Sequence, residues 1–163
     1  MFEGREYHQE DDMDIFERLQ NDHERQRELL RQIADTSGDS GLRRELFEAL
    51  RLEADAHANA EEQTLYALMV AEDQTQEQAR HSIAEHYRAA KLVSELQDLD
   101  FGSGGWIHKF EKLRDKLLHH IDEEEEDVFP AARKLISDDE ARRMSDEFVD
   151  RKNAEIDQLR EAS

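Results

Sequence analysis

The sequence HANAEEQTLY at residues 57–66 returns 63 positions later as HIDEEEEDVF at residues 120–129. Each copy has a His, a Glu four residues after it, a second Glu, and then an apolar residue followed by an aromatic one. The same shift places His23 on His86 without a gap. The chain therefore contains a duplicated unit, and we predict that its two copies pair with approximate two-fold symmetry.

Apolar residues recur at alternating steps of three and four along four segments, which predicts four amphipathic helices. These stripes begin at Phe16, Leu46, Ala79 and Phe110. Short polar or Gly-rich segments that interrupt helices separate them, at residues 35–41, 71–76 and 100–105. Because short connections favour antiparallel neighbours, we predict an all-α fold, an up-down-up-down four-helix bundle built from a duplicated helical hairpin.

The pattern divides the chain into three parts. Residues 1–12 are a polar leader, residues 13–136 the bundle, and residues 137–163 a charged fifth helix that begins at the capping residue Ser137. A thin apolar stripe follows that helix, made of Met144, Phe148, Ile156 and Leu159. The helix packs on the bundle or at a contact with a second copy of the chain, and the sequence leaves both arrangements open.

Composition excludes several classes of function. The 163 residues include 22 Lys and Arg against 42 Asp and Glu, a formal net charge of −20. This balance argues against nucleic acids and anionic membrane surfaces as partners, because both are bound by surplus Lys and Arg. The absence of cysteine excludes disulfides, iron–sulfur clusters and thiol nucleophiles. With neither a membrane-spanning apolar run nor a secretory signal, we expect a cytoplasmic protein.

Six polar residues stand on the inward stripes where a bundle normally has apolar side chains: His23, His57, Glu61, His86, His120 and Glu124. A His and a Glu four residues apart lie on the same face of a helix, so both reach the bundle interior. Two buried carboxylates without partners would cost several kcal/mol each. No Lys or Arg occupies these stripes nearby to compensate them. We therefore predict a metal site.

The duplication divides the four imidazoles into two pairs, His23 with His57 and His86 with His120. Each pair is predicted to hold one metal ion, and the two carboxylates are predicted to bridge both ions. Mixed imidazole and carboxylate ligation without thiolate suits iron, manganese or zinc. The Glu-x-x-His motif of ferritin-like di-iron bundles is absent, since no His has a Glu three residues before it.

The neighbouring residues are predicted to have supporting roles. Two glutamates are predicted to orient ligand imidazoles from outside, Glu62 and Glu125. Tyr66 and Phe129 each lie nine residues after an inward His, nearly opposite around the helix, and are predicted to pack away from the site. Tyr87, next to His86, is also predicted to pack, with a redox role as the less favoured alternative. The remaining histidines are predicted to face solvent: His8, His81, His108 and His119.

These residues resemble the hemerythrin/HHE cation-binding domain over roughly residues 13–136. The resemblance rests on His23, on HANAEE at 57–62, on Glu85-His86 and on HIDEEEEDVFP at 120–130. It implies a four-helix bundle around a non-haem di-iron centre with a bridging oxo or hydroxo group. The sequence departs from the oxygen-carrying hemerythrins in two ways. Ser82 stands where these have a further His. Their spacing from His to carboxylate in helix four is also longer and ends in Asp, whereas here the carboxylate is Glu124.

That departure implies two His per ion, so both ions keep an open coordination position. The resemblance then favours chemistry with hydrogen peroxide or nitric oxide, or sensing of iron or oxygen, over simple carriage of dioxygen. The expected cofactor is two iron ions, with manganese or zinc less favoured. Redox turnover and stoichiometric sensing both remain open at this point.

Overall fold

The computed structural model describes residues 12–162, so the predicted leader and His8 lie outside the described residues, apart from Asp12. Within this range the chain forms seven α-helices: α1 (Ile15–Ala34), α2 (Gly41–Gln63), α3 (Leu65–Val70), α4 (Gln76–Asp98), α5 (Gly104–Glu123), α6 (Phe129–Arg133) and α7 (Asp138–Glu161). A π-helical turn (Glu124–Val128) joins α5 to α6. No strand occurs among these residues, and the all-α prediction is confirmed.

The long helices begin where the sequence provides capping side chains. Asp14, Ser40, Ser103 and Ser137 each accept a hydrogen bond from the backbone N–H three residues later. Each bond satisfies one of the donors that the first turn of a helix leaves free. The predicted start of the fifth helix at Ser137 is therefore confirmed.

The apolar core consists of two clusters. One contains Phe16, Leu65 and Phe129, and the other contains Phe47, Trp106 and Phe110. The six predicted site residues come between them along the helices, and each is less than 9% exposed. A polar layer therefore interrupts the hydrophobic interior of the bundle.

Helix α7 packs along its own bundle, against α1 and α2. Phe148 is fully buried there and Met144 packs at the edge of the first apolar cluster, while Ile156 and Leu159 are half-buried. This placement answers one question that the sequence left open, since the apolar stripe of α7 faces the same chain. Within residues 12–162, no helix combines the length and the apolar character that crossing a membrane requires.

Two of the predicted long helices are broken at equivalent points of the duplication. The first break is at Thr64, whose φ of −117° and ψ of −87° end α2 and let α3 begin at Leu65. The second is the π-helical turn that begins at Glu124. Such turns are rare and occur often at functional sites. The π-helical turn begins at the Glu of its His-x-x-x-Glu pattern, and Thr64 lies three residues after the equivalent Glu61. Both breaks redirect the residues that come next.

We expect Phe148→Ala to lower the free energy of unfolding by about 3–5 kcal/mol, because it leaves a cavity under α7 where a ring was fully buried. Urea unfolding measures the change. Leu42→Ala is the control, since Leu42 is 57% exposed and its truncation should cost less than about 1 kcal/mol. Equal effects of the two substitutions would contradict the packing of α7 on the bundle.

Candidate metal centre

The structure brings all six predicted residues together in two overlapping groups. Nitrogen and oxygen atoms of the first group lie within 4.8 Å of one another, and so do those of the second. The first group is His23, His57, Glu61 and Glu124, and the second is Glu61, His86, His120 and Glu124. The imidazoles are thus paired as the duplication predicts, and both carboxylates belong to both groups. That these residues bind metal ions remains a prediction.

Each carboxylate presents one oxygen to each imidazole pair. Glu124 Oε1 lies 3.0 Å from His23 Nε2, and its Oε2 lies 3.1 Å from His120 Nε2. Glu61 has the same arrangement, with Oε2 at 3.5 Å from His57 Nε2 and Oε1 at 3.2 Å from His86 Nε2. A carboxylate placed in this way can bridge two cations.

Several of these buried atoms have no hydrogen-bond partner among the described residues: His23 Nε2, both oxygens of Glu61, and Glu124 Oε1. The 3.0 Å approach of His23 to Glu124 therefore brings the two atoms close without the angles of a hydrogen bond. Since buried polar atoms are almost always paired, these atoms need a further partner. The donor set of imidazole nitrogen and carboxylate oxygen fits a pair of metal cations.

Hydrogen bonds on the outer ring nitrogens fix two of the imidazoles. His23 Nδ1 donates to Glu125 Oε2 at 2.9 Å, and Glu125 in turn accepts from Arg27 at 3.1 Å. His57 Nδ1 donates to Asp22 Oδ2 at 2.8 Å. With Nδ1 occupied, each ring turns Nε2 toward the centre, as metal-binding histidines generally do.

The prediction for the outer glutamates is correct for one of the two. Glu125 orients His23, whereas Glu62 Oε2 lies 3.7 Å from His86 Nδ1, too far for a hydrogen bond. Asp22 was not predicted for this role. A signal for it existed, because an acidic residue directly precedes the inward His in both halves, as Asp22-His23 and Glu85-His86.

Tyr66 packs in the apolar core as predicted, but its predicted direction, away from the site, is wrong. Its side chain is fully buried, and its hydroxyl donates a hydrogen bond to Glu124 Oε2. The prediction extended the helical phase of α2 beyond Glu61, but the break at Thr64 changes that phase and turns Tyr66 inward. Phe129, the equivalent residue in the second half, also packs, but its ring is stacked on His23 at a centroid distance of 5.9 Å rather than turned away from the site.

The remaining predictions for this region are confirmed for three histidines and wrong for one tyrosine. His81, His108 and His119 are exposed, as predicted. Tyr87 is also exposed, by 73%, so the prediction that it packs in the structure is wrong. Its position next to His86 turns it to the outer face of α4.

Helix α7 provides a cation close to this layer. Lys152 Nζ lies 2.9 Å from Asp22 Oδ2 and 2.7 Å from Glu53 Oε1. Burial raises the pKa of Asp22, but the hydrogen bond from His57 and the charge of Lys152 outweigh burial, so the net pKa is below its usual value. Asp22 therefore stays ionised and connects α7 with His57.

The protein part of the centre stabilises protonated imidazole. Burial by itself lowers the pKa of His57, but the charge of Glu61 and the hydrogen bond to Asp22 outweigh it and raise that pKa to about 10. Burial is similarly opposed at His86 by Glu61, and the pKa of His86 rises to about 9. A metal ion that binds here displaces these protons, so its affinity falls with falling pH.

Comparison with known proteins supports the same interpretation. A family model described as the hemerythrin HHE cation binding domain matches residues 14–132. The chain belongs to the hemerythrin HHE cation-binding domain family. A hemerythrin HHE cation binding domain-containing protein from Mycobacterium kansasii, known from a crystal structure, shares the fold of this HHE domain. The TM-score is 0.80 at 24% sequence identity, over 90% of this chain and 89% of that chain. No curated protein matches the chain significantly in sequence.

We expect Asp22→Asn to weaken metal binding by about 10- to 100-fold, because His57 loses the anionic partner that orients its ring and raises its basicity. Competition with a chelator of known affinity measures the change. The control is Asp35→Asn, at the end of the same helix, where the side chain is 75% exposed and far in sequence from the centre. Metal affinity that stays unchanged in Asp22→Asn would contradict the orienting role.

The metal-free HHE domain should lose stability as pH rises. The folded pKa of His57, about 10, lies above the ordinary value of 6.5. Its contribution is therefore fully present below pH 6.5 and disappears as pH rises through about 10. Urea unfolding of the metal-free chain and of His57→Gln should show an advantage for the unmodified chain on the order of a few kcal/mol at pH 6, absent above pH 10. An advantage that grows with pH would disprove this assignment.

Proposed function

We propose that this HHE domain binds two iron ions and uses them to bind or reduce a small oxidant, namely dioxygen, hydrogen peroxide or nitric oxide. The observation that carries the proposal is the placement of the two buried carboxylates. Each carboxylate directs one oxygen to one imidazole pair and its other oxygen to the other pair. Three of these four oxygens have no hydrogen-bond partner among the described residues. Two neighbouring cations would satisfy this arrangement.

The preference for iron comes from the donor set and from the family. Imidazole and carboxylate ligands without thiolate suit iron, manganese and zinc, and the resemblance to di-iron hemerythrins selects among these. When bound, iron supplies a Lewis acid and a store of electrons. The chain offers each ion two imidazoles and a share of two carboxylates, which leaves coordination positions for an exogenous ligand.

The residues around the centre hold its geometry. Asp22 and Glu125 fix the rings of His57 and His23. Tyr66 holds Glu124, and burial next to the charges of Glu124 and Glu61 raises its pKa well above the ordinary value, so its hydroxyl keeps the proton that it donates. The apolar clusters on both sides shield the centre from bulk water.

Metal analysis of the purified chain tests the proposal. We expect about two iron ions per chain, with the near-ultraviolet absorption of a bridged ferric pair, and we expect His57→Ala to lose at least one ion. His119→Ala is the matched control, because His119 is 73% exposed and should be replaceable without loss of metal. Full iron content and an unchanged spectrum in His57→Ala would disprove the assignment.

A second candidate function is sensing of iron or of an oxidant without turnover. The observation that favours it is the connection from His57 through Asp22 to Lys152, which joins the centre to α7. A change in the centre would then alter the packing of α7 and any surface that depends on it. Steady-state peroxide consumption separates the candidates, because a redox enzyme continues to turn over whereas a sensor reacts stoichiometrically and stops.

A further inference from the structure

A small cavity lies next to the imidazoles, and its lining includes the half-buried Asp55 but not Tyr66, Glu61 or Glu124. Residues from α1, α2, α4 and α5 line it, and Gln26, Ala54, Ala89 and Leu117 form its wall one helical turn from the histidines. The space in it that the centre of a water molecule can occupy is about 20 Å³. This exceeds the roughly 10–15 Å³ that one water molecule requires, so the cavity accommodates a ligand of very few atoms.

Gln26 has a buried amide group whose nitrogen is unpaired within residues 12–162. The side chain is 3% exposed, and its Nε2 has no hydrogen-bond partner among the described residues. Gln26 follows His23 by three residues, so both side chains lie on the same face of α1 and both line the cavity. An unpaired buried donor costs about 1–3 kcal/mol, which an apolar residue at this position would avoid.

The duplicated half has no equivalent of this amide. The shift of 63 residues places Gln26 on Ala89, and both residues line the same cavity. The cavity therefore has a hydrogen-bond donor on the wall next to His23 and a methyl group on the wall next to His86. A ligand with an acceptor atom at one end would be held in a single orientation.

The cavity adjoins an outer groove. Four residues line both the cavity and this groove between α2 and α4: Asp55, Ala58, His86 and Ala90.

We propose that Gln26 Nε2 donates a hydrogen bond to a small oxygen-containing or anionic ligand that occupies this cavity at the metal centre. This inference rests on the proposed function, because the metal ions would hold the other end of the ligand. Gln26 is then a binding residue that selects ligands with an acceptor atom and fixes their orientation. The equivalent residue next to His86 is Ala89, which has no hydrogen-bond donor. The ligand would therefore be held only from the His23 side of the two metal ions.

Azide binding to the iron-loaded protein tests the proposal. Azide is a small anion with an acceptor nitrogen, and its dissociation constant follows from an absorption titration. Loss of one hydrogen bond to an anion should raise this constant by about 10-fold in Gln26→Leu. Gln26→Met, which keeps the length of the side chain without the donor, should show a similar rise and serves if the leucine variant does not fold. Gln20→Leu is the control, because Gln20 is exposed on the same helix.

Metal analysis before each titration separates the two proposals. Two ions per chain, tight azide binding by the unmodified chain and by Gln20→Leu, and weakened binding by both Gln26 variants would support the role of Gln26. Unchanged azide affinity in the Gln26 variants, or no azide binding by the iron-loaded unmodified chain, would overturn it while the metal site stands. Absence of bound metal in the unmodified chain would overturn the proposed function and this inference together.

Discussion

The burial of two carboxylates in the middle of the bundle is the constraint on which the structure depends. Glu61 and Glu124 have no exposed surface, although an isolated ionised carboxylate in a protein interior costs several kcal/mol. Burial raises the pKa of Glu124, but the imidazoles of His120 and His23, about 3 Å away, outweigh it and keep that pKa well below its usual value. The carboxylate thus stays charged, and cationic groups must surround it. Protonated imidazoles meet this need without metal, and metal cations meet it when they displace the protons.

This constraint extends outward through the structure. The imidazoles need partners on their outer nitrogens, and Asp22 and Glu125 supply them. These acids need cations in turn, which Lys152 and Arg27 provide at the edge of the bundle. Helix α7 is therefore part of the electrostatic support of the centre as well as an apolar cover, and its Phe148 ring packs edge-on against His57.

The duplication is nearly exact in sequence spacing, yet the two halves of the centre differ in chemistry. His23 and His57 have hydrogen bonds on their outer nitrogens, whereas His86 Nδ1 has no partner among the described residues. Tyr66 donates to a carboxylate, whereas its equivalent Phe129 stacks on a ring. Two ions bound here would therefore meet different surroundings, which is the condition for dividing the roles of ligand binding and electron supply between them.

The sequence by itself determined the helical bundle, the two imidazole pairs and their shared carboxylates, because helical spacing fixes which residues lie on one face and the duplication fixes which faces meet. It also determined that His81, His108 and His119 point outward. Only the tertiary structure decided the place of Tyr66, since a backbone break at Thr64 ends the periodicity from which its direction was predicted. The roles of Asp22, Lys152 and Gln26 likewise depend on how neighbouring helices pack. Spacing along one helix contains no information about the distance to a side chain on another.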